Sequence, residues 1–188
     1  MDLIVGATGY LGSEISRLLS LRGRSVRGLV RKSSPVGMIR KLKENSVELY
    51  NADLKDRQSL HRACVGAQTV ISTATALRST RDEDDLESVD YQGHLNLIEA
   101  AVAAGVKRFI YISYPALVDG VDAGTFAKRA VEKRLMSCGL DFTIIRPSFL
   151  MEFWLSPAMG FNFLASSIGN ENNLSFCNHS VLRNLSKT

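Results

Sequence analysis

The sequence predicts an α/β fold: a doubly wound, six-stranded parallel sheet with helices on both faces. Six short segments are nearly continuous in apolar or β-branched residues, which is typical of strands covered on both sides. Helical patterns alternate with them, and a glycine follows most of these helices. Short links between strand and helix favour right-handed crossovers and therefore parallel pairing.

The elements follow one another in a regular order. The predicted strands are 3–6, 26–30, 47–50, 69–73, 108–113 and 142–146. The predicted helices are 10–22, 35–44, 56–65, 86–104 and 123–138. The glycines that end four of these helices are Gly23, Gly66, Gly105 and Gly139. Glycine at this position adopts the left-handed conformation that caps a helix.

Composition indicates one globular domain. The chain has 188 residues, of which 45% are hydrophobic and 22% charged, so it can bury a core. Its net charge of +4 comes from scattered basic residues, which is weak evidence for nucleic acid. We therefore expect no nucleic-acid contact.

Cysteine and histidine are placed without any metal-binding or disulfide pattern. Cys64, Cys138 and Cys177 are odd in number and far apart, so we expect neither a disulfide framework nor a metal site. Only Met1 and Asp2 precede the first strand, and no apolar run approaches the roughly 18 residues of a membrane span. We expect a cytoplasmic location without membrane contact, unless a precursor segment has been lost.

Residues 4–12 read "IVGATGYLG" and place Gly6, Gly9 and Gly12 between the first strand and the first helix. In such a turn the first glycine permits a tight bend, the second lets a pyrophosphate approach, and the third packs helix on sheet. The spacing differs from the common Gly-x-Gly-x-x-Gly, and a purely structural turn is the alternative. The strand before and the helix after favour a dinucleotide. The other residues assigned to this site are Thr8, Tyr10 and Leu11.

The end of the second strand favours NADP(H) over NAD(H). NAD sites usually place an acidic residue about 20 residues beyond the glycines, to bind the ribose 2′-hydroxyl. Here that position holds Arg31 and Lys32, and no acidic residue lies between Glu14 and Glu44. We expect no carboxylate there to repel a 2′-phosphate, which Arg31 could bind in a forked pair. The alternative is a solvated basic pair at a strand end.

Five longer segments carry a family resemblance. They are "VGATGYLG", "VRGLVRK", "ADLKD" (52–56), "VDYQGHLNLIEAAVAAGVKRFIYIS" (89–113) and "AKRAVEKRLMSCGLDFTIIRPSFLMEFWL" (127–155). Together they resemble the NmrA-like group of atypical short-chain dehydrogenases/reductases, over residues 3 to about 160. The resemblance implies a Rossmann fold that binds NADP(H). Some members of the group reduce quinones or other small carbonyl and enol substrates, and others only sense the redox state of the cofactor.

The resemblance also assigns site residues. Asp53 and Leu54 would contact the adenine. Thr73, Ala74 and Thr75 would line the cofactor near its nicotinamide ribose, and Lys128 matches the lysine that the superfamily places on the ribose hydroxyls.

The chain departs from the wider superfamily at its proton donor. Related dehydrogenases use Tyr-x-x-x-Lys, in which the lysine lowers the pKa of the tyrosine, but Gly124 stands four residues before Lys128. Ser113 and Tyr114, at the end of the fifth strand, are the other candidates for contact with substrate. For Lys128 the alternative is a solvated lysine in an i,i+4 pair with Glu132.

Two further segments have simpler interpretations. The acidic run 81–85 precedes a helix and complements its dipole. Residues 161–188 form an atypical tail after the cofactor domain 1–160, and the substrate region that family members usually carry is expected to be shortened. Asn-x-Ser matches at Asn173, Asn178 and Asn184 are expected to be chance occurrences.

Three hypotheses follow from the sequence. The chain is an NADPH-dependent reductase of a small quinone or carbonyl, a cofactor-sensing module that acts on a protein partner, or a shortened member that binds cofactor weakly. The cofactor motifs favour the first, Gly124 favours the second, and the tail favours the third.

Overall fold

The computed structural model of the chain describes residues 1–77, 79, 81–120 and 123–148. The predicted tail 161–188, its three Asn-x-Ser matches and Cys177 lie outside the described residues. The predicted domain boundary at residue 160 does so as well and stays a prediction.

Strands and helices alternate as predicted, and apart from the predicted helix 86–104, which is divided, no boundary moves by more than two residues. The strands are β1 (Asp2–Val5), β2 (Val26–Val30), β3 (Glu48–Asn51), β4 (Thr69–Ser72), β5 (Arg108–Ile112) and β6 (Asp141–Ile145). The helices are α1 (Tyr10–Leu21), α2 (Val36–Glu44), α3 (Arg57–Cys64), α4 (His94–Ala103) and α5 (Ala123–Met136). A π-helical segment, Leu86–Gly93, runs directly into α4, and a short 3₁₀ helix covers Ala116–Val118.

The six strands form one parallel sheet in the order β3-β2-β1-β4-β5-β6. This is the strand order of a doubly wound Rossmann fold, so the predicted fold class is confirmed. The order reverses between β1 and β4, where Leu3 pairs with both Arg27 and Val70. In open α/β sheets ligands bind at this reversal, beyond the carboxyl ends of the strands.

A hydrophobic core lies on each face of the sheet, and β1 contributes to both. Leu3 and Val5 belong to one cluster, together with Leu97 and Phe109, whereas Ile4 belongs to the other. All four residues of β1 are almost completely buried. The nearly continuous apolar pattern of this strand therefore reflects burial on both faces.

The predicted helix 86–104 is divided into the π-helical segment and α4. At the join, a Cβ atom on Gly93 would lie 2.9 Å from both the Cβ of Leu54 and the carbonyl oxygen of Ser88. Glycine permits this close approach, and a hydrophobic pattern does not distinguish the wider turn from an α-helix. Asp85 caps the segment: its carboxylate accepts a hydrogen bond from the Ser88 backbone N–H at 2.6 Å. Asp85 of the acidic run thus lies at the N-terminus of the segment, where its charge complements the helix dipole as expected, and it also caps the segment.

Within the described part of the chain, we find no helix that combines the length and apolar character needed to cross a membrane. The same residues contain no group of three or more His, Cys, Asp or Glu side chains arranged to hold a metal ion.

Candidate cofactor site

The glycine turn after β1 presses its backbone against the end of β4. Gly6 adopts a left-handed φ of 87°. A Cβ atom there would lie 2.7 Å from Thr73 Oγ1 and 2.9 Å from the Ala74 backbone nitrogen. Thr73 Oγ1 in turn donates to the Val5 carbonyl at 3.2 Å. Position 6 therefore requires glycine for two reasons: its backbone is left-handed, and its neighbours leave no space for a Cβ atom.

Gly12 brings α1 into direct contact with the turn. A Cβ atom on Gly12 would lie only 2.1 Å from the Gly6 carbonyl oxygen. This distance is too short for any side chain at position 12. Gly9 is less confined, because its Cβ would lie 3.2 Å from the same oxygen. The Gly9 N–H donates to that oxygen at 2.9 Å and closes the turn. Gly12 thus allows α1 to pack against the turn, and at Gly9 the backbone of the turn is exposed.

The N-terminus of α1 opens directly beyond this bare backbone. Gly9 is the residue before the helix and has no side chain that could cap it. The first N–H groups of a helix have no partner within it, and they carry the positive end of its dipole. Thr8, Tyr10 and Leu11 lie in the same turn, Tyr10 being 53% exposed. This backbone fits the pyrophosphate of a dinucleotide.

Arg31 follows β2 on the same side of the sheet, and it contacts a carboxylate. One of its guanidinium nitrogens lies 2.5 Å from Asp84 Oδ2, and Lys55 Nζ donates to Asp84 Oδ1 at 2.7 Å. The Ser79 hydroxyl also donates to Asp84, at 2.8 Å. Burial opposes ionisation of Asp84, yet the bonds from Lys55, Arg31 and Ser79 outweigh it and hold its pKa well below the usual range.

The expectation that no carboxylate lies near Arg31 is therefore wrong. Asp84 is 53 residues away in sequence and reaches Arg31 because the segment after β4 folds over the end of β2. Arg81 in that segment donates to the Ser33 hydroxyl at 2.8 Å. Lys32 is exposed beside these contacts. The sequence shows the basic pair but not the carboxylate that joins it.

Asp53 and Leu54, the predicted adenine contacts, follow β3. Asp53 Oδ1 accepts a hydrogen bond from the Lys55 backbone N–H at 2.9 Å, which fixes the bend after the strand. Leu54 is buried, and its carbonyl oxygen accepts from the Asn96 side chain at 3.2 Å. Both residues thus lie at the carboxyl ends of the strands, with the glycine turn and Arg31.

Thr73, Ala74 and Thr75 continue from β4 beside the glycine turn. The Thr73 N–H donates to the Val5 carbonyl at 2.9 Å, which extends the pairing of β1 and β4 by one bond. Thr73 and Ala74 are half-buried, whereas Thr75 is exposed. Beyond them lies a cavity of about 460 Å³, lined by Ala76, Leu77, Asp85, Leu86 and Glu87. The structure brings these predicted residues together with Gly6.

Lys128 on α5 is almost completely buried and forms an ion pair. Its side chain is 3% exposed, and its Nζ lies 3.1 Å from Asp90 Oδ1 in the π-helical segment. The same Nζ lies 5.0 Å from the ring centre of Tyr111 and 5.4 Å from that of Tyr114. Burial lowers the pKa of Lys128, and the charge of Asp90 opposes this effect.

The alternative of a solvated Lys128 paired with Glu132 is wrong, because α5 packs against the π-helical segment and buries the lysine. Glu132 instead forms ion pairs with Arg129, at 2.7 Å, and with Arg146. Burial opposes the ionised form of Glu132, but the hydrogen bond from Arg146 and the charges around it lower its pKa.

Ser113, which the sequence predicts to contact substrate, lies beside the Arg129–Glu132 ion pair. Its hydroxyl accepts a hydrogen bond from Arg129 at 3.1 Å, and its backbone N–H donates to the Ile145 carbonyl at 2.8 Å. Tyr114 follows it, and its carbonyl oxygen accepts from Arg129 at 3.0 Å. Gly124 is buried on α5 one turn before Lys128. The structure thus places Lys128 of α5 near Tyr114, which follows Ser113 just after the end of β5.

His94 and Asp90 are two further buried polar residues, near Lys128, that the sequence did not reveal. His94 is fully buried, with Nε2 at 2.8 Å from the Ser72 hydroxyl and Nδ1 at 2.9 Å from the Val89 carbonyl. Burial, followed by the charge of Lys128, lowers its pKa to about 4. The available signal was the i,i+4 spacing of Asp90 and His94 on an otherwise apolar helix face.

Comparison with known proteins agrees with this geometry. The chain matches the NmrA-like family over residues 3–175. It is 38% identical over 174 residues to sterol demethylase protein B of Methylococcus capsulatus, covering 81% of this chain and 52% of that protein. It is 33% identical over 145 residues to photosystem II assembly factor Ycf39 of Trieres chinensis, covering 77% of this chain and 44% of that protein.

Among solved structures, the chain is similar in fold to an NADPH-dependent quinone oxidoreductase of Escherichia coli, solved with NADPH. The TM-score is 0.66 at 24% identity, with 85% of this chain and 53% of that chain covered. The chain spans about half the length, or less, of the curated relatives it matches. The match over residues 3–175 includes the described sheet, apart from Asp2 at the start of β1, and the whole glycine turn. The chain therefore belongs to the NmrA-like family.

Proposed function

We propose that the chain binds NADP(H) at the carboxyl edge of its sheet and reduces small molecules such as quinones. The observation that carries the proposal is the turn from Gly6 to Gly12, where the backbone is held too close for side chains and opens onto an uncapped helix. Such a turn is suited to a pyrophosphate, and its close contacts require glycine at Gly6 and Gly12. The NADPH bound to the Escherichia coli oxidoreductase supports the choice of cofactor.

The remaining predicted residues are assigned along the same edge. Arg31 and Lys32 are proposed to bind the 2′-phosphate, because a guanidinium and an ammonium are the charged groups suited to it. Asp53 and Leu54 are proposed to border the adenine, and 73–75 the nicotinamide ribose. When bound, NADPH supplies a hydride.

Substrate protonation limits what this chain can reduce. Hydride transfer to a carbonyl leaves charge on oxygen, which a donor must protonate or stabilise. Gly124 stands where related enzymes have tyrosine, and Lys128 is already paired with Asp90. A hydroquinone anion needs less assistance than an alkoxide. We therefore favour quinones, and the partly apolar cavity lined by Leu77 and Leu86 is suited to a flat apolar ring.

Two assays test this proposal. NADPH is titrated first, by cofactor fluorescence, and its oxidation is then followed with a panel of quinones; NADP⁺ is tested with a panel of alcohols. We expect saturable NADPH binding with slow quinone reduction and no efficient alcohol oxidation. Rapid alcohol oxidation would show that another residue, such as Tyr114, transfers the proton. Failure to bind NADPH would contradict the proposal as a whole.

A second candidate function is a cofactor-sensing module that acts on a protein partner. Two features favour it. Gly124 replaces the tyrosine that donates the proton in related enzymes, and Lys128 is already paired with Asp90. The name of the Trieres chinensis relative, a photosystem II assembly factor, also supports it. NADPH binding without oxidation of any quinone, together with cofactor-dependent capture of a partner, would favour this candidate. The third candidate, a member that binds the cofactor weakly without turnover, predicts neither quinone reduction nor capture of a partner.

The cytoplasmic location stays a prediction, which imaging of the tagged protein tests.

A further inference from the structure

Asp84 is held as a phosphate would be held. Its carboxylate accepts hydrogen bonds from Arg31, Lys55 and Ser79 at 2.5, 2.7 and 2.8 Å. Its side chain is 2% exposed, whereas those of Arg31 and Lys55 are 36% and 29% exposed. The two cations therefore face outward around a buried anion. Two cations and a hydroxyl are also the groups that proteins use to bind a phosphate monoester.

The location of this cluster is the adenosine side of the candidate cofactor site. Arg31 follows β2 directly, and Lys55 follows β3, so both lie beyond the carboxyl ends of neighbouring strands. A carboxylate that is already bound by Arg31 and Lys55 competes with a 2′-phosphate for the same donors. It also repels that phosphate, since both are anions.

We propose that Asp84 is a specificity-determining residue, which competes with the 2′-phosphate for Arg31 and Lys55 and thereby limits the preference for NADP(H) over NAD(H). The inference rests on the proposed function, because it requires that the dinucleotide binds at this edge. A second contact acts in the same direction: Arg81 donates to the Ser33 hydroxyl at 2.8 Å and holds the segment over the end of β2. The 2′-phosphate must displace this segment, whereas a 2′-hydroxyl need not.

The test compares two ligands that differ only in the 2′-phosphate, 2′,5′-ADP and 5′-AMP. Binding of each to the full chain is measured by calorimetry for the wild type, Asp84→Asn and the control Asp82→Asn. Asp82 lies in the same acidic run but is exposed. Its substitution by Asn changes the net charge by the same amount as Asp84→Asn and leaves the contacts of Asp84 in place. We expect Asp84→Asn to bind 2′,5′-ADP at least tenfold more tightly, with less than a threefold change for 5′-AMP. Asp82→Asn should change either affinity less than threefold.

Unchanged or weaker binding of 2′,5′-ADP by folded Asp84→Asn would overturn the inference, since it would mean that Asp84 orients Arg31 for the phosphate. An equal gain in Asp82→Asn would overturn it too, because the effect would be one of net charge. If Asp84→Asn does not fold by circular dichroism, Asp84→Ser provides the same comparison and keeps a small polar group between the two cations. A wild type that binds neither NADPH nor either fragment would instead contradict the proposed function.

Discussion

The two halves of the sheet end in different ways at their carboxyl edge. Around β1, β2 and β3 the edge consists largely of backbone, with glycines at Gly6, Gly9 and Gly12 and cations at its border. Around β4, β5 and β6 charged side chains bind one another, as in the buried pair Lys128–Asp90 and in the pair of buried Glu132 with the partly exposed Arg146. The first half leaves bare backbone uncovered, whereas the second half holds a buried ion pair.

The largest expected effect comes from breaking the buried pair of the second half. Asp90→Ala leaves the Lys128 ammonium buried without its partner and removes the acceptor for the Ala76 N–H at 2.7 Å. We expect a loss of about 3–5 kcal/mol in the free energy of unfolding. Urea denaturation measures it, with Asp141→Ala as control, because the Asp141–Arg108 pair is largely exposed. Equal stabilities of the two variants would show that the buried pair contributes no more than the exposed one.

Valine at two glycines of the first half should separate binding from folding. Gly9 has an extended backbone that valine can adopt, so Gly9→Val should fold yet bind NADPH at least a hundredfold more weakly, about 2.7 kcal/mol. Gly12→Val should lose structure as well, because its side chain would collide with the Gly6 carbonyl. Circular dichroism and NADPH fluorescence distinguish the two outcomes. Undiminished binding by folded Gly9→Val would show that the phosphate lies elsewhere.

The buried histidine makes the second half sensitive to pH. The pKa of His94 is about 4 in the folded chain and 6.5 by its ordinary value, so the unfolded chain binds more protons between these limits. Stability should therefore fall as pH falls through this window, by about 2 kcal/mol between pH 7 and pH 5. Urea denaturation at both pH values measures it. His94→Asn should lose most of this dependence, whereas substitution of the exposed His61 by Asn should retain it.

The smallest expected effect concerns the cations that border the first half. We expect NADPH to bind at least tenfold more tightly than NADH, a difference of about 1.4 kcal/mol. Arg31→Asp should reduce or reverse this preference, because it replaces the guanidinium with a second carboxylate beside Asp84. Arg40→Asp, on the exposed face of α2, is the matched control. Calorimetry measures both ligands, and equal dissociation constants in the wild type would contradict the prediction.

The sequence predicted the first half better than the second, for a physical reason. The glycine turn and the strands depend on local backbone geometry and on burial of both strand faces, which short sequence patterns record. Gly6 and Gly12 are only six residues apart, and their contact follows from the turn itself.

The second half depends on a pair that no local pattern joins, because Asp90 lies in the π-helical segment and Lys128 in α5. The cation border of the first half shares this property, since Asp84 reaches Arg31 across 53 residues. When charged residues lie this far apart in sequence, each is interpreted by itself as part of a solvated helix face or as a capping group. Only the fold shows that they form a pair. The π-helical segment before α4 was missed as well, and the close packing of its Gly93 against Leu54 is another contact that no local pattern records.

The central position of β1 has a consequence for how the chain is made. β1 is synthesised before the other five strands of the sheet, yet it pairs with β2 on one edge and with Thr69–Ser72 on the other. Its second edge therefore stays open on the ribosome until β4 has been translated and has left the exit tunnel. An apolar strand with an open edge is prone to wrong pairing. The nascent chain should therefore depend on chaperones most strongly before β4 emerges, and much less afterwards.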